Sequence, residues 1–206
     1  LSNLSIAEDA SEQTVSLAGI TSGGGESQPL RVTATSSSTG LIPNPTVTYT
    51  TANATGSVKF TPVADQSGPA TITVTVEDGG LDGNLSTGGD NATFSRTFDV
   101  TVNAVNDTPT LDALSNVSIA EDAAQQTVNL AGINAGGGES QPLRVTSTSS
   151  NTGLIPDPTV TYTSANPMGI IAFTPVTDQS GTATITVTVE DGGLDNNLST
   201  AGDNAT

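Results

Sequence analysis

Residues 70–76 read Ala70-Thr71-Ile72-Thr73-Val74-Thr75-Val76, and residues 183–189 repeat them as Ala183-Thr184-Ile185-Thr186-Val187-Thr188-Val189. Apolar residues alternate with threonine without a break. A period of 2 puts one chemistry on each side of an extended chain, whereas a helix would need a period of 3.6. Valine, isoleucine and threonine are stiff about χ1 and fit a pleated, half-buried surface. The segment is therefore a half-buried β-strand, and it occurs twice. No stretch of the chain carries a helical stripe.

The duplication reaches far beyond this strand. Residues 1–93 align with residues 114–206 at a constant offset of 113 without a gap, and 19 of the 93 pairs differ, so 93 − 19 = 74 are identical. The repeat is thus a unit of about 113 residues. Within the first copy the alternation predicts seven strands, over 4–7, 14–20, 30–36, 46–50, 57–62, 70–77 and 94–102. Turn-forming joints such as Ser22-Gly23-Gly24-Gly25, Pro43-Asn44-Pro45 and Gln66-Ser67-Gly68-Pro69 separate them. Seven short strands in about a hundred residues predict an all-β fold of two tandem Greek-key sandwiches of immunoglobulin-like type. The expected domains are 1–106 and 114–206, with a linker over 107–113. Residues 94–113 (FSRTFDVTVNAVNDTPTLDA) have no second copy before Thr206. The second sandwich is expected to lack its last strand within this chain, and to be completed by chain continuation or by a strand donated by a neighbour.

Composition removes whole classes of function. The 206 residues carry 21 acidic and 4 basic side chains, a net charge of −17, and no His, Cys or Trp. Serine and cysteine triads need a histidine base, redox motifs need thiols, and zinc sites are usually built from His and Cys. We expect no enzyme. Four basic residues cannot neutralise a run of phosphates, so nucleic acid is not an expected partner. No apolar run approaches the roughly 20 residues of a membrane span, so no membrane insertion is expected. Serine and threonine exceed a quarter of the chain and lysine is nearly absent, a chemistry that suits an extracellular or cell-surface location.

Three further segments carry a resemblance. The strand end Val76-Glu77-Asp78-Gly79-Gly80, the run Phe60-Thr61-Pro62 with Asp65 and Gly68, and the linker Val105-Asn106-Asp107-Thr108-Pro109 resemble the bacterial cadherin-like repeats of very large secreted adhesins. The resemblance covers essentially the whole chain, twice. It implies a structural and adhesive module of a long extracellular array or filament, with calcium stiffening the junctions between repeats. Where cadherin linkers carry Asp-x-Asn-Asp-Asn-x-Pro, this chain has Asn103-Ala104-Val105-Asn106-Asp107-Thr108-Pro109. Where they carry Asp-Arg-Glu, it has Asp65-Gln66-Ser67.

Counting strand directions places the acidic residues independently of that family. Glu8 and Asp9, Asp65, and Asn106 and Asp107 fall at one end of the first unit, with Glu121 and Asp178 as second-unit counterparts. Glu139, Glu190, Asp191, Asp195 and Asp203 fall at the opposite end of the second unit and are expected to face the first group across the linker. Oxygen ligands in this number suit Ca²⁺, which takes 6 to 8 of them, and suit no soft metal. Residues 77–91, EDGGLDGNLSTGGDN, are a second candidate, with Glu77, Asp78, Asp82, Asn84 and Asp90 as ligands, although the spacing lacks the order of an EF-hand.

The copies differ most where ATGSVK at 54–59 becomes PMGIIA at 167–172. Alternation turns Ile170 and Ala172 outward, and with Met168 they are expected to form an apolar patch for contact between identical repeats or subunits, as in a homo-oligomer or filament. A carbohydrate- or protein-binding surface module without calcium dependence is the alternative. Sugar sites usually present exposed aromatic platforms, and the only aromatics are Tyr49, Phe60, Phe94, Phe98, Tyr162 and Phe173.

Overall fold

The computed structural model describes all of residues 1–206, and the chain divides into two compact units, Leu1–Val105 and Asn106–Thr206. Every named element is a strand. Unit 1 holds β1 (Leu4–Ala7), β2 (Gln13–Ala18), β3 (Leu30–Ser36), β4 (Thr46–Thr48), β5 (Thr55–Phe60), β6 (Gly68–Asp78) and β7 (Thr93–Asn103). One sheet runs β1-β7-β6-β3 and the other β2-β5-β4. Only β1 pairs in parallel, with β7. Successive strands change sheet between β1 and β2, β2 and β3, β3 and β4, and β5 and β6, which is the Greek-key sandwich expected from the strand count.

The strand bounds follow from pairing. β2 stops at Ala18 because Gly19 takes a left-handed conformation (φ 73°); the Ile20 N–H beyond it still bonds Ala54 O at 3.1 Å. β5 lies two residues earlier than the expected 57–62, since Gln13 to Ala18 pair with Phe60 to Thr55. β6 is longer than expected because it is clamped on both edges, by β3 over Ile72–Asp78 and by β7 over Gly68–Glu77.

The two sheets close on one apolar core. Val58, Ile72 and Val100 are fully buried, and the rings of Phe60 and Phe98 meet with centroids 6.5 Å apart. Strand β7 supplies Phe98, Val100 and Val102, all at 2% exposure or less. Burying each such side chain contributes about 1.5–3 kcal/mol.

Unit 2 holds β8 (Gln126–Leu130), β9 (Leu143–Ser149), β10 (Thr159–Thr161), β11 (Gly169–Phe173) and β12 (Ile185–Asp191), in the sheets β10-β11-β8 and β12-β9. These reproduce β2 to β6 of unit 1; the positions that correspond to β7 fall beyond residue 206, and residues 117–120, which correspond to β1, are not a strand. In unit 1, β1 bonds only to β7, so without that partner residues 117–120 are not held as a strand. β12 shrinks for the same reason, keeping only Ile185–Asp191, the counterpart of the stretch that β3 holds. The core shrinks too. Fourteen buried apolar residues form the unit 1 cluster and seven the unit 2 cluster. Phe173, Ala183, Ile185 and Val187 are half-buried, where Phe60, Ala70, Ile72 and Val74 are buried. The expected linker over 107–113 lies against unit 2: Thr110 and Asn134 exchange backbone hydrogen bonds, and Asp112 N–H donates to Ala131 O.

Substituting Phe98→Ala should destabilise unit 1 by about 3–5 kcal/mol, the usual cost of an emptied aromatic site, and leave the unfolding of unit 2 where it was. Denaturant unfolding with a probe in each unit reads the two transitions separately, and equal shifts in both would contradict this account.

Candidate functional site

Three groups of oxygen donors stand out, and each is built by local backbone needs. The first is the loop after β6. Asp78 Oδ1 accepts N–H bonds from Gly80 and Ala92 at 3.0 Å each, and Asp90 Oδ2 accepts from Leu81 at 2.7 Å and Asp82 at 3.3 Å. Asp82 Oδ1 accepts from Asn84 N–H, Asp82 Oδ2 from the Thr87 hydroxyl, and Asn84 Oδ1 from Ser86 N–H. Asp and Asn side chains commonly fold a loop in this way. Gly80 is needed there: its φ is +59°, and a Cβ would lie 2.5 Å from Asp90 Cγ. Unit 2 repeats the arrangement with Asp191, Asp195, Asn197 and Asp203. The sequence brought these carboxylates together, and their bonds show them engaged by their own loop.

Glu77 and Glu190 are not drawn into that loop. Successive strand residues point to opposite faces, so Glu77 turns away from Asp78 and toward its cross-strand neighbour Arg31, whose Nε donates to Glu77 Oε2 at 2.9 Å. Arg144 Nε meets Glu190 Oε2 at 3.0 Å in the same way. Glu26 and Glu139 stand only five residues before these arginines in the chain, yet strand register selects the distant Glu77 and Glu190. A hydrogen bond from Asn91, then the Arg31 guanidinium, holds the Glu77 carboxyl below its usual 4.5, and Asn204 with Arg144 does so for Glu190.

The second group lies at the other end of the sandwich. In unit 1 the pairing of Ala7 with Asn103 and of Gly68 with Val102 brings the turn after β1, the turn before β6 and the exit of β7 to one place. There the buried Glu8 accepts Val105 N–H on Oε1 at 2.9 Å. One carboxylate oxygen of Asp9 lies within 4.8 Å of one of Asp65, and Asp65 holds a left-handed φ of 57°. In unit 2, Glu121 is exposed, and Asp178 N–H donates to Asp122 Oδ1 at 3.1 Å.

The third group is the entry of unit 2, and it is the most buried. Asn106 Nδ2 donates to Asp191 Oδ1 at 3.0 Å and to Asp203 O at 2.8 Å, while its Oδ1 accepts from Gln141 Nε2 at 2.7 Å. Asp107 N–H donates to Glu139 Oε2 at 3.2 Å. The segment runs so close to the glycine-rich loop that a Cβ on Gly136 would lie 2.6 Å from Thr108 O. Asp191 is fully buried; its Oδ1 takes bonds from Asn106, Gly193 and Ala205. Its Oδ2 takes none, and neither does the buried Gln141 Oε1. Buried polar oxygens are expected to be bonded, and these two lie unbonded at the same entry. Gln141 did not emerge from the sequence, because a search for carboxylates passes over an amide. Its place in the glycine-rich loop beside Glu139 was the available signal.

Met168 and Ile170 are exposed, Ile171 between β8 and β10 is buried, and Ala172 is half-buried. Met168 and Ile170 border a groove of about 430 Å³ that also includes Tyr162 and Asn129. Tyr49 and Tyr162 pack against the cores of their own units. Phe94 is the exposed aromatic ring, covered by the Arg96 guanidinium 4.8 Å from its centroid.

No protein-family profile and no curated protein sequence matches the chain. Among solved structures, domains 4 and 5 of the surface-layer protein SbsC are 20% identical, with 84% of this chain and 68% of that one covered at a TM-score of 0.35. SbsC domains 1–6 align over 77% of this chain at 20% identity and a TM-score of 0.34, and the alignment spans 18% of that longer chain. The titin domains z1z2, in complex with telethonin, align over 90% of this chain and 89% of theirs at 11% identity and a TM-score of 0.33. The chain is an immunoglobulin-like β-sandwich protein by its own strand order.

The lowered Glu77 and Glu190 carboxyls fix a sign for acid behaviour. A group whose carboxyl is stabilised as the anion in the folded state adds stability above its unfolded value, and that stability is lost as pH falls through the folded one. Thermal melting should therefore decline as pH drops below about 4.5, and Asn91→Ala with Asn204→Ala should shrink the decline. Melts between pH 3 and 6 compare the two proteins; identical slopes would remove these pairs from the acid response.

Proposed function

We propose that this chain is a structural and adhesive repeat module of a long extracellular or cell-surface array, whose stiffness is set by calcium at the junctions between repeats, and that it is not an enzyme. The carrying observation is the buried Asp191 carboxylate, with one oxygen bonded three times and the other unbonded. A hard, oxygen-seeking cation is the partner such an oxygen lacks, and the Gln141 carbonyl, held beside Asn106, is a second buried oxygen without a bond. Asp191, Gln141 and Asp203 would hold the ion, with Asn106 fixing the approach of the entering chain. In unit 1 the Asp9 and Asp65 pair lies at the end of the sandwich where β7 leaves it. A charge of −17 also favours a medium in which divalent cations are abundant, since a compact chain so charged repels itself. Sideways, the Met168, Ile170 and Ala172 patch serves contact between identical repeats or subunits.

Calcium bound only by the native state raises stability by mass action, about 2.7 kcal/mol at a hundred times the dissociation constant. Adding CaCl₂ to the chelated protein should raise the melting temperature and extend the maximum dimension seen by X-ray scattering. Asp191→Asn keeps the Oδ1 acceptor and replaces the unbonded oxygen with N–H, so it should fold and lose the response. No change in melting or dimension for the parent chain would end the calcium reading. Separately, Ile170→Lys with Ala172→Lys should weaken self-association measured by analytical ultracentrifugation while each unit still melts cooperatively; unchanged association would reassign the lateral surface.

A further inference from the structure

We propose that the outer edge of β3 is an interface for a second copy of this chain, whose own β3 pairs with it antiparallel about a two-fold axis at Thr33. The inference rests on neither the calcium reading nor the Met168 patch. β3 ends its sheet, with β6 on one side and no strand on the other. In an antiparallel pair, alternate residues turn their N–H and C=O toward the neighbour and the rest turn them away. Gly79 N–H donates to Pro29 O and Ser37 N–H to Thr71 O. Both bonds keep the register that runs from Leu30 opposite Asp78 to Ser36 opposite Ile72, so the odd-numbered residues face β6. Leu30, Val32, Ala34 and Ser36 therefore aim their backbone groups at the open edge.

The ends of that edge are capped and its middle is not. Thr51 Oγ1 accepts the Leu30 N–H at 2.8 Å, and Asn44 Oδ1 accepts the Ser36 N–H at 2.9 Å. Unit 2 keeps the same device on β9: Ser164 Oγ accepts from Leu143 N–H at 2.8 Å and Asp157 Oδ1 from Ser149 N–H at 2.7 Å. Between the caps, the N–H and C=O groups of Val32 and Ala34 have no partner in the chain, and neither do those of Val145 and Ser147. In unit 2 a groove of about 290 Å³ lies between Leu143 and Val145 of β9 and Val160 and Tyr162 at β10, so the edge is not sealed. Unpaired edge groups are the template that strand addition uses.

The spacing selects the occupant. With Thr33 opposite Thr33 of the second strand, Val32 stands opposite Ala34, and every free N–H between the caps meets a free C=O. On the outer face Arg31 then stands opposite Thr35, so no like charges meet across the pair. Charge points to the same partner. Residues 27–64, which span β3 to β5, hold none of the 21 acidic side chains, so two copies that each carry −17 approach along this flank with the least repulsion.

The test uses the 206-residue chain carrying Ile170→Lys and Ala172→Lys, which removes the separate apolar patch. Sedimentation equilibrium should show a concentration-dependent dimer. Hydrogen exchange at Val32 and Ala34 should slow as the dimer fills, while that of Thr33, already bonded to β6, should not change. Thr33→Lys and Thr33→Glu each set like charges face to face at the axis and should raise the dimer dissociation constant at least about tenfold. Thr33 is exposed, so neither change should lower the melting temperature. An equimolar mixture of the two variants should restore the dimer, which misfolded chains could not do. Three results would overturn the proposal: a chain that stays monomeric at every concentration, dimers of undiminished strength in either Thr33 variant, or a mixture that associates no more tightly than its components.

Discussion

The pairing of β6 with β7 is the interaction on which unit 1 depends. It doubles the edges that hold β6, gives β1 its partner, and delivers Phe98, Val100 and Val102 to the space between the sheets. In unit 2, where the residues that correspond to β7 lie beyond residue 206, β12 keeps only the stretch that β9 holds. Strand formation here is set by partners more than by propensity, because residues 117–120 differ from β1 by one substitution, Leu4 to Val117, and are not a strand.

The fold was legible because its signal is period 2 in a sequence with few apolar residues to confuse it. The strands at 4–7 and 30–36 were readable to the residue. Elsewhere the bounds moved by one or two residues, for reasons no propensity encodes: a left-handed Gly19, or a second neighbour that extends β6. Carboxylate placement was legible in outline, since strand direction alone brings Asp65 and Glu8 to one end. What sequence could not supply was the division of labour. Glu77 and Asp78 are adjacent in the chain, yet one belongs to an ion pair on a sheet face and the other to a loop. Burial separates Asp191 from Asp78 although the local sequence is the same, because Asn106 and Gln141 close over the second copy.

Most of the chain's acidic side chains have structural work before any ligand is considered. Asp78, Asp82 and Asp90 replace the backbone partners that a glycine-rich loop lacks. Asn196 shows how specific that loop is: it stands where unit 1 has Gly83, and it keeps the left-handed conformation with φ 58°, which asparagine tolerates better than other side chains. The loop can thus drift in sequence only along residues its backbone accepts.

The twin copies of ATITVTVED also set a kinetic problem for the newly made chain. Strand β7 meets two acceptors of the same sequence, one 15 residues back along the chain from Thr93 to Asp78, the other roughly 80 residues ahead. Loop closure favours the nearer, but the entropic cost grows only with the logarithm of length, so the difference is on the order of 1–2 kcal/mol. Order of emergence adds to it, since the nearer acceptor leaves the ribosome first and has time to close before its rival exists. The nine residues that the two acceptors share do not distinguish them, so sequence position and timing are what favour the nearer one.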